Sequence, residues 1–448
     1  MRGIKDLFVS LTVRNYRLFF IGQGVSLIGT WVHRTTMGWF VYRITNSAFL
    51  LGLVSFLSMI PTLFISPFAG AWSDRWNRHH TLVATQIAYM VQAGLLATLV
   101  LTGFINSQRI WPLIILSLMQ GMIEAVDAPF RQNFVMDLVS TRALLPNAIA
   151  TNSAMFNSAR LIGPSIGGAM IVMFSEGVCF AFNAFSYLPV IAMLLMIKIS
   201  YPPQVPRKEP ILAKVLEGWK YAWRNFPIRY LITNLGIFTL FALSYATLLP
   251  IFARNILHGN AQTQGLLLSF AGIGSLSSAI YMASRKTIQG LPALSMTMAA
   301  IGSLALILFA QSTSIILSMV LMLVIGWGMT LQMAATNTLI QSTVSDEMRG
   351  RVLSVYTMAF GSMTPFGSLL VGSLTKVMGS GLTGEAARAL GARRALTVCA
   401  AVCLVWTLYS FRLIPSLVKN IFRMLVKNNN VSIYRPAVIR THVNPGDA

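Results

Sequence analysis

The chain has 448 residues, 55% of them hydrophobic and only 10% charged, with a mean hydropathy of +0.67. Soluble proteins are roughly 25% charged, so this balance excludes a soluble globular enzyme and leaves a polytopic membrane protein. The formal charge of +22 comes from 34 Lys and Arg against 12 Asp and Glu. In a membrane protein such an excess marks loops retained in the cytoplasm rather than a nucleic-acid footprint.

Arg2, Lys5, Arg14 and Arg17 precede a long apolar stretch without an evident small-residue cleavage site, which reads as an uncleaved first span. A bilayer-crossing helix needs about 20 mostly apolar residues. The apolar runs place six spans at about 18–42, 50–72, 80–104, 111–136, 146–174 and 178–199. A polar stretch with Pro202, Pro203, Pro206 and Pro210 leads into 211–223. There Leu212, Val215, Leu216 and Trp219 recur at helical spacing among Lys214, Glu217 and Lys220, as in an amphipathic helix on a membrane surface. Six further spans follow at about 230–253, 264–284, 291–310, 314–341, 352–376 and 395–415.

The organisation read from this pattern is an N-terminal six-helix bundle over 1–200, a cytoplasmic linker over 201–228, a C-terminal six-helix bundle over 229–415 and a basic cytoplasmic tail over 416–448. Lys419, Arg423, Lys427, Arg435 and Arg440 of the tail are expected to lie along anionic lipid. With both termini inside, most Lys and Arg fall on the cytoplasmic side, as the positive-inside rule asks. Lys376, Arg388, Arg393 and Arg394 are the exception, since this assignment puts them in the last external connection. Cys179, Cys399 and Cys403 have no metal-ligand spacing or disulfide pattern and read as packing residues. The fifth span carries Gly163-Pro164-Ser165-Ile166-Gly167-Gly168, and the eleventh echoes it with Thr364-Pro365-Phe366-Gly367-Ser368. Duplicated halves are a common transporter architecture.

Between the second and third spans the chain reads Gly70-Ala71-Trp72-Ser73-Asp74-Arg75-Trp76-Asn77-Arg78-His79. This resembles the signature loop G-x-x-x-D-R-x-G-R-R of the major facilitator superfamily, with Asn77 in place of the usual glycine and His79 in place of a base. The fifth span resembles the G-P-x-x-G-G antiporter motif of that superfamily's exporters. Ala125 to Gln132, Leu145 to Ala148, Phe156 to Arg160, Gly29-Thr30-Trp31 and Arg349-Gly350-Arg351-Val352 resemble a bacterial exporter branch that includes the enterobactin exporter. The resemblance runs to about residue 415. It implies an all-α major facilitator fold of 12 transmembrane helices in two six-helix bundles, with helices one, four, seven and ten lining a central cavity. It also implies gating by Asp74, Arg75, Arg78, Gly163, Pro164, Gly167, Gly168, Arg349 and Arg351. Where the resembling sequences have a neutral residue near 124 and a glutamine near 33, this chain has Glu124 and His33.

Charges inside spans are costly and default to functional candidates. Glu124, Asp127 and Arg131 fall along one side of the fourth helix, and Asp127 and Arg131 stand in the acid-to-base order that pairs at four residues' separation. Desolvation favours the neutral form of a carboxyl and a nearby guanidinium the charged form. Glu124 is therefore either a proton carrier or the neutraliser of Arg34 or Arg160. Asp127 is expected to be mainly structural, and His33 either titrates or packs. Proton coupling is assigned to Glu124, Asp127 and His33. The substrate cavity is assigned Arg34, Arg131 and Arg160, and from the second half the polar Asn234, Tyr245, Gln332, Asn337 and Gln341.

No phosphate-cradling loop, metal cluster or nucleophile triad stands in a plausible setting, so no cofactor and no catalysis are expected. The sequence points to a monomeric bacterial inner-membrane transporter, surrounded by membrane lipids, that exports a small anionic metabolite such as a siderophore by proton antiport and alternating access. A multidrug exporter, an importer or lysophospholipid flippase on the same fold, and a non-transporting sensor are the rival readings.

Overall fold

A computed structural model describes residues 9–73, 75–139, 144–199, 211–285, 287–380 and 383–427. Asp74, and the linker and tail residues 200–210 and 428–448, lie outside the described residues, as do Arg2 and Lys5 and the side chains of Leu212, Lys214, Val215 and Lys427. A short turn at Val9–Thr12 leads into α1 (Arg14–Thr45), α2 (Ala48–Trp72), α3 (Arg78–Leu101), α4 (Trp111–Leu138), α5 (Leu145–Met173) and α6 (Glu176–Met196). A linker helix, Ile211–Arg224, precedes α7, which runs Phe226–Phe241, is interrupted, resumes over Tyr245–Ile251 and closes on one π turn at Phe252–Ile256. Then come α8 (Ala261–Ser284), α9 (Leu291–Gln311), α10 (Ile315–Thr343), α11 (Asp346–Met378) and α12 (Gly384–Phe411), and a tail helix, Ile414–Lys427. No strand occurs among the described residues.

The helix starts are written locally. Asn77 caps α3 by accepting the His80 amide at 3.1 Å, which accounts for a non-glycine residue at that place in the signature loop. Asn260 and Thr263 form a reciprocal capping box at α8, and Ser175 caps α6. The last long helix begins near 384 rather than 395. Arg388, Arg393 and Arg394 therefore ride on α12 and Lys376 on the last turn of α11, not in a connection. Residues 385–396 are mostly Ala, Leu, Arg and Glu, strong helix formers whose charge hides them from a hydropathy window.

Among the described residues, nine helices are long and apolar enough on their own to cross a bilayer, while α1, α5 and α11 fall short of that hydropathy. These three hold the polar groups and glycines on which the two halves meet. On α5 the motif serves two faces: a Cβ on Gly163 or Gly167 would press on Trp31 or Val32 of α1, and one on Gly168 would stand 2.6 Å from the Ala261 carbonyl oxygen of α8. Gly265 of α8 in turn packs on the Pro164 carbonyl. The echo on α11 repeats the arrangement. Gly367 packs on Leu240 of α7, while Ser368 and Gly372 meet Gly52 and Ala48 of α2. A Cβ on Gly52 would lie 2.5 Å from the Ser368 carbonyl oxygen. In each half one helix thus packs on a helix of its own half through one face and on the other half through the next.

The near end of the bundle carries the start of α1 and the α2 to α3 loop, and the far end carries the α1 to α2 join. At the far end Tyr42 donates to Asn255 at 2.5 Å, closing α1 on the end of α7. Toward the near end, Gly70 of α2 and Gly350 and Gly361 of α11 have nothing within 4 Å of where a Cβ would stand. The halves are closed at the far end and splay toward the near one. Gly265→Val is expected to force α5 from α8, cost about 1–3 kcal/mol as overpacking does, and lower the melting temperature of detergent-purified protein. Gly361→Val, at open space, should leave it within a degree or two; equal effects would contradict the packing.

Candidate substrate cavity

The splay encloses a cavity of about 930 Å³ between the halves. It is lined by α1 from Trp31 to Val41, α2 from Leu51 to Gly70, α4 from Ser117 to Gln132, the second part of α7, Gln264 and Leu268 of α8, and α11 from Gly350 to Ser368. Helices α2 and α11 thus take a large share of the wall. No residue of α10 lines it, contrary to the expectation for a tenth cavity helix. Gly274 and Gly326 bring α10 against α8, and Gly328 brings it against α9, which turns it away from the opening.

Among the described residues, Arg34 and Glu124 are the only Lys, Arg, Asp or Glu side chains on the cavity wall. Their ion pair is long, 3.5 Å from Nη2 to Oε2, and the same oxygen accepts the Tyr89 hydroxyl at 2.8 Å. The Arg34 guanidinium also lies over the Trp31 ring at 5.3 Å, and that of Arg160 lies 5.9 Å from the same ring. Arg160 has no carboxylate partner among the described residues. Trp31 faces the cavity, so two guanidiniums flank one aromatic surface that is open to a ligand. His33 also lines the cavity, its Nε2 3.2 Å from Gln120 Oε1 and its ring edge-on to Phe180.

Asp127 is placed differently. It is fully buried behind the cavity, where its Oδ1 accepts from Thr85 at 2.7 Å and Gln86 at 2.8 Å and its Oδ2 meets Arg131 at 3.3 Å. Arg131 borders a small polar space with Glu124, Tyr89 and Tyr187, whose rings are stacked 5.4 Å apart. The two acids of α4 are thus sorted: one faces the opening, the other holds helices together.

The C-terminal candidates from the sequence lie off the cavity. Asn234 accepts the Trp406 indole N–H at 3.1 Å, and Tyr245 and Gln332 are buried without reaching the wall. Gln341 donates to Asn337 within α10. Asn234, Tyr245 and Gln332 thus serve internal packing, while Asn337 is partly buried and Gln341 exposed, away from the cavity. Apart from Gln264, the polar side chains that line the second half are hydroxyls that sequence reasoning passed over. Ser354, Thr357, Thr364 and Ser368 of α11 line the space together with Ser55, Ser58, Thr62 and Ser66 of the adjoining α2. Several give their protons to backbone carbonyls, as Ser55 does to Leu51 and Thr357 to Leu353 at 3.0 Å each. What such hydroxyls offer the cavity is lone pairs. Their three- and four-residue spacing was the available signal.

Of the gating candidates, Arg78 makes two contacts of 2.8 and 3.0 Å with Asp137 at the end of α4 and donates to the Ser73 carbonyl at 2.8 Å. Asp137 was missed in the sequence because it lies just past an apolar run. Arg75 is exposed. Arg349 pairs with Asp346 at 2.5 Å on its own helix, whereas Arg351 reaches Glu217 of the linker helix at 2.6 Å.

Removing one partner of a buried ion pair costs about 3–5 kcal/mol. Asp127→Ala is therefore expected to lower the melting temperature sharply, while Glu124→Gln, which faces the cavity, changes it little. Equal losses would contradict the sorting of the two acids.

The matches to known proteins agree with this geometry. The Staphyloferrin A transporter of Staphylococcus aureus is 26% identical over 367 residues, spanning 81% of this chain and 90% of that protein. The multidrug efflux pump Tap of Mycolicibacterium fortuitum is 21% identical over 364 residues, 80% and 87% of the two chains. A bacterial homologue of the human lysosomal transporter Spinster, solved in an inward-facing occupied conformation, superposes with a TM-score of 0.71 at 13% identity, covering 91% of this chain and 98% of that one. Residues 7–418 match the family model described as transmembrane secretion effector. With twelve long helices among the described residues, halves joined by repeated glycine contacts and a cavity between them, the chain belongs to that family of multi-pass transporters within the major facilitator superfamily.

Proposed function

We propose that this protein is a bacterial inner-membrane exporter that moves a small anionic molecule, of the siderophore class, against protons. The observation that carries the reading is the loosely paired Arg34 on the cavity wall, with Arg160 beside the same tryptophan and without a carboxylate of its own. On the wall itself Arg34 is only loosely neutralised by Glu124, and Arg160 adds a second guanidinium behind Trp31, which favours an anion over a lipophilic cation. The hydroxyl faces of α2 and α11 supply acceptors for the O–H or N–H groups such a cargo also carries. The staphyloferrin relative supports the same class.

In this reading residues 1–200 and 229–415 rock about the far-end glycine contacts, with both termini and the open mouth in the cytoplasm. Arg78 with Asp137 stiffens the signature loop during that movement. An anion entering from the near end binds Arg34 and donates one of its own O–H or N–H groups to the Glu124 carboxylate, which sheds its proton to accept it; a proton returning to Glu124 from the far side then releases the cargo, so cargo and proton exclude each other on one pair. A multidrug reading is favoured by Met37, Met59, Met358 and Phe360 on the wall, since flexible apolar side chains adapt to unrelated ligands.

In energised inside-out vesicles, anionic siderophores are expected to discharge the pH gradient, with Glu124→Gln lowering the rate at least tenfold and Arg34→Gln raising the half-saturating concentration at least tenfold. Discharge by cationic drugs alone would overturn the cargo assignment in favour of the multidrug reading. No discharge by either class, in protein shown to be folded, would overturn antiport and direct attention to uptake or lipid flipping.

A further inference from the structure

The linker and tail helices share a layout that transport through the cavity does not use. On the linker helix Gly218 and Ala222 face protein. At 100° per residue the opposite arc runs from Trp219, Trp223 and Leu216, which are 44%, 49% and 60% exposed, to the exposed Lys220 and Arg224. The two indoles stack with centroids 5.6 Å apart. On the tail helix Leu417, Ile421 and Leu425 are buried, and the outer arc runs from Phe422 and Val426 to Lys419 and Arg423. Each helix therefore shows one apolar strip with a cationic strip beside it.

Among the described residues no carboxylate pairs with the exposed cations of either helix. The linker helix has a single acid, Glu217, and Arg351 takes it at 2.6 Å; the tail helix has none. Position agrees with this chemistry. One residue, Asn225, separates the linker helix from α7, and Arg412 and Leu413 separate α12 from the tail helix, so both helices leave membrane-crossing helices at the level where headgroups begin. Rings settle at that depth and cations reach phosphate there.

We propose that the two helices form a binding surface for anionic phospholipid headgroups, carried by the C-terminal half at the near end. The surface bears on the cavity. A Cβ on Gly218 would stand 2.5 Å from the Arg351 carbonyl oxygen, and the Glu217 to Arg351 pair fixes the same turn. That turn begins α11, where Gly350, Leu353 and Ser354 form the mouth of the cavity. Headgroups held on the linker helix therefore steady the mouth.

The test uses the full chain in phosphatidylcholine nanodiscs doped with brominated phosphatidylglycerol or, at equal mole fraction, brominated phosphatidylcholine, read by quenching of tryptophan fluorescence. Phosphatidylglycerol is expected to quench more, with the preference falling as salt is raised. Each cation near an anionic surface is worth roughly a factor of five. Lys220→Gln with Arg224→Gln should thus cut the preference at least fivefold, while Lys220→Arg with Arg224→Lys keeps it. Both pairs are exposed, and an unchanged melting temperature confirms the fold. Equal quenching by the two lipids in the wild type, or a preference that survives both neutralisation and 1 M salt, would overturn the proposal.

Discussion

Backbone contact at glycine between the two halves, toward one end of the molecule, is the constraint on which the rest depends. Lipid tails are as apolar as leucine, so helices in a bilayer gain nothing from hiding apolar surface on each other and associate through close packing instead. In this chain α5 meets α8 and α2 meets α11 with carbonyl oxygens lying where a Cβ would have to be. The same α2 and α11 carry Gly70, Gly350 and Gly361 with open space beside them toward the other end. With α2 and α11 fastened at one end and open toward the other, they enclose a cavity together with α1 and α4.

Charge is placed on that frame with little redundancy. A buried ion is tolerated when it is paired, and Asp127 has two hydrogen bonds on Oδ1 and the Arg131 ion pair on Oδ2. Glu124, three residues earlier on α4, has one hydrogen bond and one long ion pair and faces the opening. The difference is set by level and exposure: Asp127 is enclosed against Thr85 and Gln86 of α3, whereas Glu124 reaches Tyr89 of α3 and Arg34 of α1 at the edge of the opening. An ionisable group that is incompletely held and in contact with the cavity is free to exchange partners. One that is enclosed is not.

The spans were legible because hydropathy over twenty residues is a strong signal, and the twelvefold plan followed from it. Its blind spots were physical. Residues 385–394 are helical yet charged, so a hydropathy window ended α12 too late at its start, and the tail helix buries Leu417, Ile421 and Leu425 under a basic exterior. The charged residues of the N-terminal half stood out because a charge in an apolar run is rare and expensive; Arg34, Glu124 and His33 line the cavity, while Asp127, Arg131 and Arg160 lie off its wall. Asn234, Gln332 and Tyr245 misled because an amide or phenol is cheap enough to serve packing, as the Trp406 partner of Asn234 shows. The hydroxyl faces of α2 and α11 escaped because serine and threonine are common in membrane helices and spend their protons on their own backbone.

The repeated frame and the unrepeated charge together suggest why one half carries chemistry and the other mostly surface. The echo on α11 reproduces the contacts of α5, yet nothing on α7, α8 or α11 at the cavity repeats Arg34 or Glu124. A movement that closes the near end would bring the neutral hydroxyl wall toward the charged one and expel the water between them. An ion pair strengthens as the local dielectric falls, so closure would reward whichever anion then sits on Arg34, whether Glu124 or cargo. Two charged walls would have to dehydrate together at every closure. With one wall neutral the penalty falls on a single pair, and that pair can be satisfied by either occupant.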